Sequence, residues 1–428
     1  FFYSSKMQLR FSLCWLLLGD LVSLSKVLAF PPINHDEEGL ILTLGSAAVS
    51  TSHFDAWLSL HSRQYTTKLE YHERFAIFSE NAKIISQHNQ AFERGWTRYS
   101  MSLEGPFADL THHEFQATYL MESQNCSATT HHSSGSVGSL LVQNPNLGEE
   151  NIWEDKTFAD WRTKGIMTPV KNQKSCGSCW AFSTTGCLEA HHCLAHNRRH
   201  GRTGGSSKQY LDCPSWTGLA EQQLLDCSSS YDNHGCNGGL PSHAFEYIKD
   251  AGGLYAEKDY PYKANSAGTI CQSQPEYHHF TPIEAKVAQV FNITSRDEDD
   301  LVKAVGAIGP VSVAYQVSPD FRFYSHGVYD SFNATTNQTM CKDDEMSVNH
   351  AVVAVGYGET DPRGSEQESV PYYIIRNSWG TSWGMAGHFW MLRGQNMCGV
   401  SDCASFPIVP VIGNGKDEET PMLRRQRD

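Results

Sequence analysis

No stripe of clustered Lys and Arg runs along this 428-residue chain, in which 33 basic side chains face 47 acidic ones for a formal net charge of −14. Phosphate recognition is built from such clusters, so nucleic acid is excluded as a partner. Long apolar runs are equally scarce. The one near the start is too short to span a bilayer and is interrupted by Asp20 and Lys26, so no stable membrane insertion is expected. A Cys-x-x-Cys is present, but no second ligand pair follows it at zinc spacing. What the chain does have is length and sulfur. Its 428 residues, with 40% apolar content, exceed one ordinary core and imply more than one folding unit. Thirteen cysteines are many for a cytosolic enzyme and ordinary for a disulfide-bearing protein of the secretory pathway.

Residues 7–29 combine a short basic start at Arg10, the apolar run from Phe11 to Leu18 and a small residue at Ala29, which reads as a signal peptide; the six residues before Met7 read as upstream translation or an incomplete gene start. Residues 53–120 read as mostly helical. Within them Glu70, Arg74, Phe78, Asn81, Ile85 and Asn89 recur at steps of three and four, one helical stripe whose polar members imply a buried network or a docking face. Residues 122–150, rich in Ser, Thr, Gly, His and Asn, read as a linker with little to bury and a site of cutting. From Asp155 the composition is that of a compact domain, interrupted by a surface loop at 197–215. Helices are expected through 219–225 and 243–248, framing the turn at 235–239. Strand patterns follow at 310–315, 351–357, 372–376 and 387–391. A helical half followed by a β half predicts an α+β fold of two lobes with a cleft between them, and the charged tail after Val411 is expected to be disordered.

The chemistry centres on Gln173-Lys174-Ser175-Cys176-Gly177-Ser178-Cys179-Trp180. Cys179 heads an apolar helical pattern, and at a helix N-terminus the unpaired N–H groups and the dipole favour a thiolate nucleophile. A structural disulfide and a redox dithiol are alternative readings of the same Cys-x-x-Cys. A thiol nucleophile needs a base. His350 heads the most apolar strand pattern, Asn377 closes a later one where it can fix the imidazole tautomer, and Trp379 can shield that bond from water. Gln173 can supply one oxyanion donor and the Cys179 backbone N–H the other.

With Cys176-Gly177-Ser178-Cys179-Trp180, Val348-Asn349-His350-Ala351 and Asn377-Ser378-Trp379-Gly380 standing in this order, the chain resembles the papain family of cysteine proteases. The resemblance implies a papain-like fold with a helical left lobe and a β-barrel-like right lobe, a catalytic set of Gln173, Cys179, His350 and Asn377, and no cofactor or metal. The helical stripe fits the family's ERFNIN propeptide motif, implying an inhibitory prodomain over 30–154 and a peptidase domain over 155–411. Two departures stand out: Gly105 replaces the usual Asn ahead of Phe107 and Asp109, and Lys174 follows the oxyanion glutamine where Gly is usual.

Within the family, Asn233 to Pro241, Asn396 to Gly399 and above all Glu122 to Thr129 resemble the cathepsin H subfamily. There the octapeptide stays attached by a disulfide as a mini-chain that blocks one side of the cleft. By this resemblance Cys126 pairs with Cys403, Cys176 with Cys236, Cys227 with Cys271 and Cys341 with Cys398. Of the cysteines left over, Cys193 and Cys213 bracket the loop and are expected to pair, leaving Cys187 a buried free thiol. Substrate contacts are expected from Gly238, Gly239, Leu240, Pro241, Ala314, Ala351 and Trp379, and from a carboxylate at a cut Thr129 that pairs with a substrate's α-amino group. The expected function is therefore an aminopeptidase made as a zymogen, with an ordinary endopeptidase and a catalytically dead binding protein as alternatives. Expected partners are peptide and protein substrates, the chain's own prodomain and cystatin-type inhibitors, on a monomer. Sequons at Asn125, Asn292, Asn333 and Asn337 fit glycosylation and delivery to a lysosome, a vacuole or the outside.

Overall fold

The computed structural model describes residues 49–148, 157–199, 213, 218–273, 284–361 and 369–410. The expected signal peptide, the boundary at 154–155, most of the loop at 197–215 and the charged tail lie outside the described residues.

The first helices follow from their caps. Helix α1 (Thr51–Leu60) starts where Ser50 accepts from the His53 N–H, and α2 (Lys68–Glu93) where Thr67 accepts from Glu70. Phe54, Trp57, Phe75, Phe78 and Ala82 close a small core of their own with Ala108. The polar stripe on α2 works as a network. Asn81 donates to the Ala108 and Leu110 carbonyls at 2.8 and 2.9 Å, and Arg74 pairs with Glu114 at 2.8 Å. Asn89 exchanges two hydrogen bonds with Met101 in strand β1 (Tyr99–Met101). Gly105, in the place of the usual Asn, contributes its carbonyl, which accepts from the Trp57 indole at 3.0 Å. Helix α3 (His112–Tyr119) opens on a capping box between Thr111 and Glu114.

The stretch expected to be a linker with little to bury is structured. It carries α4 (Ser127–His131) and α5 (Val137–Gln143), because Val137 and Leu140 form a small apolar face and Ser136 caps the latter helix. The Val137 N–H also donates to Asp300 at 2.9 Å.

The rest of the chain runs through β2 (Ala159–Asp160), α6 (Cys179–Arg199), α7 (Glu221–Cys227), α8 (Pro241–Asp250), β3 (Gln289–Asn292) and α9 (Glu298–Ala307). It continues with β4 (Val311–Tyr315), β5 (Tyr324–Tyr329), β6 (Phe332–Asn333) and β7 (Gln338–Thr339). The last strands are β8 (His350–Glu359), β9 (Pro371–Arg376), β10 (His388–Leu392) and β11 (Ser405–Ile408). Nine strands form one sheet in the order β1-β5-β10-β9-β8-β4-β11-β3, with β2 on β8 and a separate β6-β7 pair. Among the described residues no pairing joins β1 to β3, so the sheet is open where a barrel-like lobe was expected. Helix α6 packs against this sheet and against α8, and is buried along most of its length. Strand β1 of the N-terminal part pairs antiparallel with β5 and so extends the sheet. No helix among the described residues is long and apolar enough to cross a membrane.

Candidate active site

Cys179 is the first residue of α6. The turn before it is held by the Cys176–Cys236 disulfide and depends on Gly177, where a Cβ would stand 2.3 Å from the Cys236 carbonyl and 2.7 Å from that of Leu120. His350 is the first residue of β8, opposite Tyr315 on β4, and Asn377 directly follows β9. Two adjacent strands therefore deliver the imidazole and the amide side by side. His350 Nε2 and Asn377 Oδ1 are 2.8 Å apart, and the Trp379 ring covers the pair with its centroid 4.6 Å from the imidazole. His350 Nδ1 is buried with no hydrogen-bond partner. Backbone groups of Ala351, next to His350, and of Trp180 and Met121 act on the Cys179 sulfur in the direction that favours its charged form.

Electrostatically the pair is at rest, contrary to the expectation of a thiolate. Burial pushes the Cys179 thiol up to about 12, outweighing the backbone groups that favour its charged form. Burial likewise pushes His350 down to about 4, against the opposing effect of Asn377. Thiol and imidazole are thus both neutral, because chain from the N-terminal part lies over them.

That cover is specific. Gln173 Oε1 accepts from Ser378 at 2.7 Å, which turns Nε2 toward the cleft, where it donates to the Tyr119 carbonyl at 2.9 Å and to that of Cys176 at 2.8 Å. Phe107 and Phe115 pack edge-on against Trp379, each at 5.3 Å. Beyond Tyr119 the chain runs antiparallel to residues 345–349. Met121, Gln124 and Cys126 donate their backbone N–H groups to Asn349, Val348 and Glu345, while Glu122 donates to Asn237. Gly238, at φ 135°, lies under this segment: a Cβ there would meet Gln124 Nε2 at 2.7 Å.

Of the expected substrate contacts, Leu240 and Pro241 are buried at the start of α8, and Ala314 and Ala351 face each other across β4 and β8. Gly239 packs against Asn233 and Trp180. Thr129 stands apart from this group. It is buried in α4, its hydroxyl donating to the Asp402 carbonyl, and the chain continues past it without a free carboxylate. Among the described residues five disulfides join Cys126 to Cys403, Cys176 to Cys236, Cys193 to Cys213, Cys227 to Cys271 and Cys341 to Cys398, and Cys187 is a buried free thiol. Among the sequons, Asn125 and Asn337 are exposed. Asn333 is half-buried, its side-chain oxygen accepting from Thr335 and Thr336, and the Asn292 amide is engaged by the His132 carbonyl at 3.4 Å.

Sequence reasoning missed three contacts around Gln173. Ser378 lies within the Asn-Ser-Trp motif and could have been found there. The Tyr119 carbonyl, and the Tyr262 hydroxyl that donates to the Gln173 carbonyl at 2.7 Å, carry no motif. Lys174 adopts φ 53° with its side chain exposed, so the turn is not crowded; the backbone instead holds a conformation that suits Gly.

The description "Papain family cysteine protease" matches residues 156–218 and 215–408, and "Cathepsin propeptide inhibitor domain" matches residues 54–115. Cysteine proteinase 2 of Zea mays is 42% identical over 349 residues, covering 82% of each chain. Pro-cathepsin H of Bos taurus is 40% identical over 367 residues, covering 85% of this chain and 92% of its own. In structure, the digestive procathepsin L 3 of Tenebrio molitor larval midgut superposes with a TM-score of 0.62 at 31% identity, over 83% of this chain and 98% of its own.

Proposed function

Since this chain belongs to the papain family of cysteine proteases and carries a propeptide inhibitor domain, we propose that it is a zymogen whose processed form acts mainly as an aminopeptidase. Cys179 is the nucleophile and His350 the acid and base. Asn377 orients the imidazole, and Gln173 with the Cys179 N–H forms the oxyanion hole. Once the covering segment leaves, the thiol and imidazole regain water, and the dipole of α6 favours the thiolate–imidazolium pair. The thiolate then attacks the scissile carbonyl, the imidazolium protonates the leaving amine, and water hydrolyses the thioester.

The observation that carries the aminopeptidase reading is the Cys126–Cys403 bond, which ties the segment lying along the cleft to the peptidase domain. Cut free on both sides, residues 122–129 stay attached. In the uncut chain Thr129 sits beside Asp402, whose carboxyl is pushed up to about 6 by burial, with Asp343 and Glu345 adding to it. Cut after Thr129, the tethered piece is free to turn about Cys126 and present the new carboxylate in the cleft. It then pairs with a substrate's α-amino group and shuts out longer N-terminal extensions.

The processed enzyme should cleave a free-amine dipeptide amide at least about tenfold faster than the N-blocked version. Equal rates leave an ordinary endopeptidase. Processing is proposed to separate the prodomain, residues 30–154, from the peptidase domain, 155–411, with glycans on exposed sequons such as Asn125 and delivery to a lysosome, a vacuole or the outside.

A further inference from the structure

Tyr262 lies in a loop far along the chain from both halves of the oxyanion hole, yet its hydroxyl reaches the backbone of one and the residue next to the other. It donates to the Gln173 carbonyl at 2.7 Å and is 2.6 Å from Ser178 Oγ, the side chain immediately before Cys179. A phenol has one proton. With that proton on the Gln173 carbonyl, the Ser178 hydroxyl is the donor of the second bond, giving a directed relay from Ser178 to Tyr262 to Gln173. Ser178 and the Gln173 side chain are fully buried, so each bond replaces one that water cannot make.

The phenol is itself fixed from two more sides. The Tyr262 backbone N–H donates to Glu257 Oε1 at 2.8 Å. Its ring stands edge-on to Phe182, three residues into α6, with centroids 4.9 Å apart. Tyr262 thus grips the nucleophile's helix through Phe182, the residue before the nucleophile through Ser178, and the backbone of the oxyanion glutamine. Ser378 holds the same glutamine by its side-chain oxygen at 2.7 Å. Between these two holds, Gln173 Nε2 has one direction left.

We propose that Tyr262 is a positioning residue that sets the spacing between the two oxyanion donors, Gln173 Nε2 and the Cys179 backbone N–H. The inference rests on the roles proposed above for Gln173 and Cys179. Tyr262 touches neither substrate nor thiol. Its effect is confined to the step in which charge develops on the carbonyl oxygen, so it acts on the transition state and leaves ground-state binding and thiol basicity alone.

The test uses the processed enzyme and its Tyr262→Phe and Ser178→Ala variants. A peptide aldehyde forms a hemithioacetal with Cys179, the sulfur bonding the carbonyl carbon and the oxygen resting in the oxyanion hole. Iodoacetamide alkylates the same sulfur without using that hole. For Tyr262→Phe, kcat should fall about tenfold with KM within about twofold, and the aldehyde should bind weaker by the same factor as kcat. The iodoacetamide rate and its pH profile should not move. Ser178→Ala keeps the ring, shortens the relay and should weaken the aldehyde several-fold, again with alkylation unchanged; it carries the test if the phenylalanine variant does not accumulate. Unchanged aldehyde affinity overturns the proposal, as does a parallel loss of kcat and alkylation rate, which marks a general disturbance of the site. Failure of the wild-type Cys179 to alkylate is a different result and strikes the proposed function itself.

Discussion

The amide nitrogen of Gln173 donates to the main-chain carbonyl of Tyr119 at 2.9 Å, so a peptide group of the chain ahead of the peptidase domain occupies a proposed oxyanion donor. The proposed inhibition combines occupation with dehydration. The same segment buries Cys179 and His350 and moves each away from the charge state that catalysis needs.

Thiol reactivity should therefore report prodomain departure. A thiol held at about 12 is almost wholly protonated at pH 7, and each unit of release raises the thiolate fraction tenfold. Iodoacetamide should alkylate Cys179 at least about a hundredfold faster in the processed enzyme than in the full-length chain. Comparable rates, read by mass spectrometry of the Cys179 peptide, contradict the burial argument.

Acid should loosen the zymogen through His112. Burial pulls its imidazole below the ordinary value of 6.5, with Arg322 and His113 acting the same way and Asp320 opposing. A group depressed in the docked state binds its proton more readily once released, so its contribution to docking is present above pH 6.5 and lost as the pH falls below it. Nδ1 of His112 is buried without a partner, so a proton there gains no acceptor. In His112→Gln the pH for half-maximal conversion to processed enzyme should shift down by roughly half a unit. An unmoved midpoint removes His112 from the release mechanism.

Lys174 holds φ 53°, a left-handed conformation that costs a residue with a Cβ about 1–2 kcal/mol, part of which Gly returns through its freer unfolded chain. Lys174→Gly should raise stability by about 0.5–1 kcal/mol, read as a higher melting temperature. A lower one would show that the exposed lysine side chain makes a compensating contact.

Thiol mapping should find two unpaired sites among the described cysteines, Cys179 and Cys187. Alkylation in denaturant without reductant should label both and leave Cys193 and Cys213 joined. Label on Cys193 breaks that assignment.

The parts of the site legible in the sequence are those encoded by neighbours. Cys179 begins a helix, His350 begins a strand and Asn377 directly follows one, so short motifs carry both the chemistry and its local geometry. The contacts that aim these groups join distant stretches: Ser178 and Tyr262 are 84 residues apart, Gln173 and Ser378 205. No periodicity encodes such a meeting. The same limit explains the stretch at 122–150, whose polar composition hides Val137 and Leu140, which make a helix only because α9 offers them a surface. The thiol's neutral state was likewise invisible, since the helix N-terminus was legible and its cover was not.

The pairing of β1 with β5 has a consequence for the molecule left behind after processing. Tyr99 lies opposite Gly327, where a Cβ would come within 2.3 Å of the Arg98 carbonyl, so the fit admits a backbone and little else. Under the proposed processing, loss of β1 would leave β5 a border with open main-chain valences. The processed form would then carry a vacant rail, shaped by one extended peptide and of the kind that seats another.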